Sequence, residues 1–175
     1  MSAHKPLEGV KVVELASFVA APTAGRMMAE MGADVIRVES TAGDPWRFYG
    51  ANCGLPITDE ENPLFDIYNL GKKDLQLNTK TPEGKEILFH LLDEADVFIT
   101  NNRLKSLVRS GLDYESLKDR FPKLIYGLVT GYGQTGPDVD APGYDGVAFF
   151  SRSGMLADMA EPSGYPASAP GCIGD

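Results

Sequence analysis

Histidine is nearly absent: His4 and His90 are the only two in 175 residues. Proton transfer near neutral pH leans on imidazole, so a Ser-His-Asp or Cys-His catalytic arrangement has little to build on. Cysteine is equally scarce. Cys53 and Cys172 lie far apart and form no C-x-x-C pair, which argues against a disulfide framework or a zinc site and predicts a reduced, cytoplasmic setting. No apolar run reaches the ~18 residues of a membrane span, and the opening "MSAHKPLEG" is too polar for a signal peptide. The expectation is therefore no membrane partner. Basic residues are short by nine, 16 against 25 acidic, for a net charge of −9. That excludes the basic stripe of a nucleic-acid binder. It leaves room for one anionic ligand held by a few local cations.

What is present is an alternation of short apolar runs and helical patterns, with 43% hydrophobic residues, enough for one domain with a sizeable core. "VKVVEL" (10–15), "ADVIRVE" (33–39), "KDLQLN" (73–78), "DVFIT" (96–100) and "KLIYGLVT" (123–130) read as strands. Helices are predicted over 21–32, 81–95, 103–111, 113–120 and roughly 145–153. The 81–95 helix is the clearest. Thr81 can cap it, Pro82 suits its first turn, and Ile87, Leu88, Leu91, Leu92 and Ala95 recur at helical spacing. Met27, Met28 and Met31 read as core packing. Residues 40–63 read as irregular, and 131–145 as a Gly/Pro-rich loop. Strand-helix-strand repeats build a parallel sheet whose ligands sit beyond the carboxyl ends of the strands. The loops at 16–22, 40–47, 79–81, 101–103 and 131–145 are thus the places for a site.

"GYGQTG" (131–136) matches G-x-G-x-x-G, but Pro137, Asp138, Asp140 and Pro142 follow instead of a helix start. Turn-forming glycines are the expectation, and the glycine-free first turn "ASFVAAP" makes a nicotinamide dinucleotide site improbable. Lys72, Lys73, Lys80, Arg103 and Arg109 surround the third and fourth strands. They read as solvated loop-edge charges or, more sharply, as a cradle for phosphates, with Lys80 and Arg103 at the ligand edge.

"PLEGVKVVELASFVAAPTAGRMMAEMGADVIRVE" resembles the start of the class III (CaiB/BaiF-type) CoA-transferases, and "GKKDLQLNTKTPEGKEIL", "ADVFITN", "GLDYESLKDRFPKLIYG" and "GYGQTGP" continue the likeness in order from Pro6 to Asp175. The resemblance implies an α/β fold: a Rossmann-like parallel sheet flanked by helices, the N-terminal part of an interlocked-dimer CoA-transferase fold. Residues 1–175 would belong to the large domain, and the small domain and C-terminal return segment would lie in a missing C-terminal portion of the same polypeptide. No permanently bound cofactor is implied, only coenzyme A and acyl-CoA as substrates with a free carboxylic acid.

Position by position, the resemblance makes Asp175 the nucleophile, at the end of "APGCIGD". Coenzyme A contacts fall on Ser17, Phe18, Val19 and Ala20, on Leu77, Asn78, Thr79 and Lys80, on Asn101, Asn102 and Arg103, and on Arg109. The residues at 17–20 differ from the His-Val-Gln-Ala of formyl-CoA transferases, so backbone contacts are expected there. Tyr144 and Asp145 map near the active site. The racemases of this fold carry Gly-His-Asp where this chain has Gly143-Tyr144-Asp145, and a phenol with a reference pKa of ~10 is a poor proton shuttle at neutral pH. Transfer is therefore favoured over racemisation. "ELASFVAAPTAGR" is most similar to enzymes moving CoA between 2-hydroxy acids, such as 2-hydroxyisocaproate or phenyllactate, in amino-acid-fermenting anaerobes. A CoA-binding piece without catalysis is the remaining alternative, and the isolated 175 residues are expected to be inactive.

Overall fold

The computed structural model describes residues 4–166 and 172–175. Five strands run parallel in the order β3-β2-β1-β4-β5: β1 Lys11–Leu15, β2 Asp34–Glu39, β3 Lys73–Gln76, β4 Val97–Thr100 and β5 Ile125–Leu128. Parallel neighbours cannot be joined by tight turns, so helices carry every crossover. They are α1 (Ala20–Glu30), α2 (Trp46–Tyr49) and α3 (Pro63–Asn69) with a 3-10 turn Gly50–Cys53, then α4 (Pro82–Glu94), α5 (Leu104–Ser110) and α6 (Tyr114–Leu117). The α/β expectation holds, and all five strands appear with ends within a few residues of those predicted. α3 falls outside the helices expected from sequence. Asn62 caps it by accepting from Phe65 N–H, and Pro63 opens it. Chain order reverses between β1 and β4, which places the switch-point crevice between their carboxyl ends.

The contacts divide the chain into two compact units, Met1–Val129 and Thr130–Asp175. In the first, Val13, Val38 and Phe98 join Leu88 and Leu92 of α4 and Leu107 of α5 in one cluster. Each such buried side chain contributes roughly 1.5–3 kcal/mol. Val12, Val35 and Ile99 form a second cluster with Ala21 of α1. Thr81 caps α4 as expected, its Oγ1 accepting from Gly84 N–H at 3.1 Å. Two expectations are corrected. Ile87 lies outside the packed stripe of α4, 46% exposed, and of the three methionines only Met28 packs against a core cluster, while Met27 and Met31 face solvent. Both elements bury a narrower face than periodicity alone implies.

Charge sits where an apolar face was expected. Glu14 is in register with Arg37, and Arg37 with Asp74, so the three share one face of the sheet. Glu14 and Arg37 are essentially inaccessible. The Arg37 guanidinium bonds Glu39, Asp44 and, at 3.2 Å, Asp74. Arg47 adds two 2.7 Å bonds to Glu39, and the Phe65 ring lies 5.0 Å from Arg37 and 3.9 Å from Arg47. Burial opposes ionisation of Glu39, but the Arg47 bonds and the Arg37 charge outweigh it and bring the carboxyl down to about 2. The Lys72 ammonium donates to Glu14 Oε1 (3.0 Å), Pro22 O (2.8 Å) and Asn69 Oδ1 (3.0 Å). Burial is the larger influence on that pair, raising the Glu14 carboxyl and lowering Lys72.

These contacts overturn part of the phosphate cradle. Lys72 is neither solvated nor free for a ligand, since an ammonium has three N–H groups and all are taken. Lys73 pairs with Asp34 at 2.7 Å at the amino ends of β2 and β3, opposite the ligand edge.

Gly25 faces this row from α1. A Cβ there would lie 1.8 Å from Glu14 Oε2. Helix propensity alone would make Gly25→Ala stabilising by about 1 kcal/mol. Displacing a buried, paired carboxylate costs more, so a net loss of about 2 kcal/mol is expected in urea denaturation. A variant as stable as the parent would refute the contact.

In Thr130–Asp175, Gly133 and Gly136 take positive φ (83° and 95°), the turn-forming role read from "GYGQTG". Gly131 does something different: a Cβ on it would lie 2.3 Å from Gly143 Cα, so two backbone segments cross at their glycines. A π-helix, Asp145–Ser151, and α7 (Met155–Asp158) follow. Arg152 pairs with Asp138 at 2.5 Å and lies over the Tyr132 ring.

Candidate active site

At the switch point, the loop after β1 is clamped from two sides. Asn101, on the loop after β4, accepts from Ser17 N–H at 3.0 Å and donates to Ser17 O at 2.7 Å. Asp44, on the loop after β2, receives Phe18 N–H at 3.2 Å from each carboxylate oxygen. Between these anchors Phe18 adopts φ 63°, left-handed for a residue that is not glycine. Such a conformation costs of order 1–3 kcal/mol and persists only where the surroundings over-determine it. Thr100 Oγ1 donates to Leu15 O at 2.7 Å, stitching β1 to β4 below the clamp.

Ser17, Phe18 and Asn101 are thus brought together, but their groups are largely engaged with one another. Ser17 N–H and C=O, and Phe18 N–H, already have protein partners. Backbone donors for a ligand on this loop would come from Val19 and Ala20 at the start of α1. Asn102 N–H bonds Thr100 Oγ1 at 3.2 Å. Arg103 is exposed just before α5. Arg109 is exposed in its last turn, about 9 Å further along the axis at 1.5 Å per residue. Leu77 is buried and donates its N–H to Glu39 O at 2.8 Å. Asn78 Oδ1 accepts from Lys80 N–H at 3.2 Å, and the Asn78 and Lys80 side chains are exposed beyond β3, two strands from β1.

Asp44 and Trp46 lie in the 40–47 loop expected to border a site, though neither is among the contact residues the resemblance implies. Asp44 is 2% exposed and also accepts from Trp46 N–H at 2.9 Å, while Trp46 meets the Phe18 ring edge-on at 6.4 Å. The available signal was "GDPW": an Asp just before a Pro that opens a helix can accept from the first helical N–H, as Asp44 does from Trp46.

In the second unit, Asp145 opens the π-helix and accepts from Gly174 N–H at 2.7 Å. Asp175 N–H returns to Cys172 O at 3.2 Å, with Cys172 at φ 52°. Partial loss of solvent, and then the Asp145 carboxylate, push the Asp175 carboxyl above its ordinary range. A carboxylate of raised basicity is a better nucleophile than a solvated one and needs no base to activate it. Burial, with Asp175 and Asp145, raises the Cys172 thiol as well, which keeps it protonated. Tyr144 is exposed. His90 is exposed on α4, and His4 pairs with Glu8 at 3.2 Å. Among the described residues no group of three His, Cys, Asp or Glu could hold a metal, and no helix is long and apolar enough to cross a membrane.

Similar proteins sharpen this picture. Cinnamoyl-CoA:phenyllactate CoA-transferase of Clostridium sporogenes is 49% identical over 95% of this chain and 40% of its own length. (R)-2-hydroxy-4-methylpentanoate CoA-transferase of Clostridioides difficile is 44% identical over 97% of this chain and 42% of its own. The crystal structure of a CAIB/BAIF family protein from Brucella suis superimposes with a TM-score of 0.88 at 39% identity, covering 97% of this chain and 45% of that one. The chain therefore spans about two fifths of the length of the curated relatives it matches. The model of CoA-transferase family III matches residues 7–175, and the chain belongs to that family.

Proposed function

We propose that the complete polypeptide moves coenzyme A between an acyl-CoA and a free carboxylic acid, a 2-hydroxy acid, through a covalent intermediate on Asp175. The observation that carries this reading is the Gly174–Asp175 turn, tied to Asp145 by the 2.7 Å bond, with a carboxyl of raised pKa. The 2-hydroxy acid follows from the names of the two Clostridial-type relatives. The working unit in this reading is an interlocked homodimer of complete polypeptides, as the family resemblance implies.

Each step exchanges one acyl bond for another. An Asp175 oxygen attacks the thioester carbonyl, the C–S bond breaks, and CoA thiolate leaves a mixed anhydride. The thiolate then attacks the aspartyl carbonyl, releasing the first acid as its carboxylate and leaving an aspartyl-CoA thioester. The incoming carboxylate attacks that thioester, thiolate departs, and its return to the new acyl carbonyl frees Asp175. No net proton moves, in keeping with a chain that has two histidines. Coenzyme A would meet the β1, β3 and β4 loops, with Asn101 and Asp44 shaping the first of them.

The full-length enzyme, incubated with acyl-CoA and then hydroxylamine, should carry a hydroxamate on the peptide containing Asp175. Turnover with that peptide unmodified would overturn the covalent reading. Deuterium uptake at the α carbon without acid exchange would replace transfer by racemisation.

A further inference from the structure

Gly174 stands where no side chain fits. A Cβ built on it would lie 2.1 Å from Phe149 Cγ, 2.3 Å from Phe149 Cβ and 2.4 Å from Phe149 Cδ1. The ring thus fills the volume any other residue would need. Phe149 is four residues beyond Asp145 in the π-helix Asp145–Ser151, so one short element grips Gly174 twice: by a hydrogen bond at its N–H and by a ring at its Cα. The ring is itself backed by Phe150, edge-on at 5.2 Å between centroids and with no exposed surface. Segments with i→i+5 bonding are rare and recur at functional sites. Asp145 also meets the Asp175 carboxyl directly through its backbone N–H, whereas the ring acts only on Gly174, the residue that aims the nucleophile.

We propose that Phe149 is a positioning residue for the aspartyl nucleophile, pressing Gly174 against the Asp145 bond so that the Asp175 carboxylate is presented in one orientation. This rests on the reading of Asp175 as nucleophile. Gly174 is a glycine, in this account, because of the Phe149 ring. Phe149 acts through Gly174, so its loss should lower kcat and the rate of hydroxamate formation while leaving KM for acyl-CoA nearly unchanged.

The test is a size swap in the full-length enzyme. Displacements near 1 Å cost about 10²-fold in rate. Gly174→Ala should lose about that much kcat, and Phe149→Ala roughly 10-fold. The double variant should regain on the order of 10-fold over Gly174→Ala alone, because the new methyl enters the space the ring leaves. Phe149→Leu covers the case in which Phe149→Ala does not fold, and should relieve Gly174→Ala in part. Strict additivity, with no relief from either replacement, overturns the proposal, as does a Phe149 effect confined to KM. Asp175→Asn separates the two failures. Turnover retained in Asp175→Asn sinks the nucleophile and the ring together, whereas an inactive Asp175→Asn with an additive cycle sinks the ring alone.

Discussion

A full-length polypeptide carrying Asp175→Asn should lose CoA transfer by at least ~10³-fold, the order seen when a nucleophile is removed from a covalent mechanism. The amide keeps the size of the carboxylate but offers no anionic oxygen to the thioester carbonyl. Gly174 N–H still donates to Asp145 Oδ1 in the variant, because that bond involves no atom of residue 175. Replacing an anion beside Asp145 by a neutral amide also removes a repulsion, so folding stability should be equal or slightly higher. The expected pattern is inactive enzyme, normal acyl-CoA binding by calorimetry, and no hydroxamate. Substantial turnover in Asp175→Asn would end the assignment. Asp175→Glu is the finer probe: one added methylene moves the carboxylate by about 1 Å, enough for ~10²-fold in rate.

Arg37→Met should have the largest effect on stability. Arg37 is the cation shared by Glu39, Asp44 and Asp74, with Glu14 Oε1 at 3.6 Å. Methionine keeps much of the volume, yet it leaves buried carboxylates without their counter-charge. Removing one member of such a group costs about 3–5 kcal/mol, against total stabilities of about 5–15 kcal/mol for a domain. The variant should be marginal or unfolded at neutral pH in urea titrations, and a midpoint matching the parent would refute the account. In the parent, Glu39 titrates at about 2 when folded against an ordinary 4.5. A depressed carboxyl contributes stability that is present above the unfolded value and lost as pH falls through the folded one. The parent should therefore lose urea resistance between about pH 4.5 and 2. Arg47 still holds Glu39 in the variant, so the acid loss should shrink without vanishing.

Strands, crossovers and α4 were legible because each rests on local signals: valine runs, the Thr81–Pro82 cap, helical spacing of Leu88 and Leu92. The turn glycines of "GYGQTG" were legible for the same reason. The charge row was not. Glu14, Arg37 and Asp74 are 23 and 37 residues apart in sequence and meet only through strand register, so no single strand's sequence pairs them. Lys72 was misplaced by the same blindness, since its partners Glu14, Pro22 and Asn69 are spread over 55 residues. At the candidate site, the resemblance put Asn101 beside coenzyme A. The fold adds that its amide is already bonded to Ser17. Nothing local in "APGCIGD" names what lies against Gly174, and the fold supplies it from 25 residues upstream: the Phe149 ring.

The 1.8 Å approach between a would-be Cβ at Gly25 and Glu14 Oε2 also binds two positions into one evolutionary unit. A mutation to alanine at 25 is tolerable only where 14 has first become shorter or smaller. Shortening 14 in turn strands the ammonium of Lys72, which relies on that carboxylate. The three positions drift as a set or stay as they are. Among diverging relatives, a side chain at 25 should mark chains that have rebuilt the whole charge row, making this one helix position a readable tag for the chemistry buried beneath it.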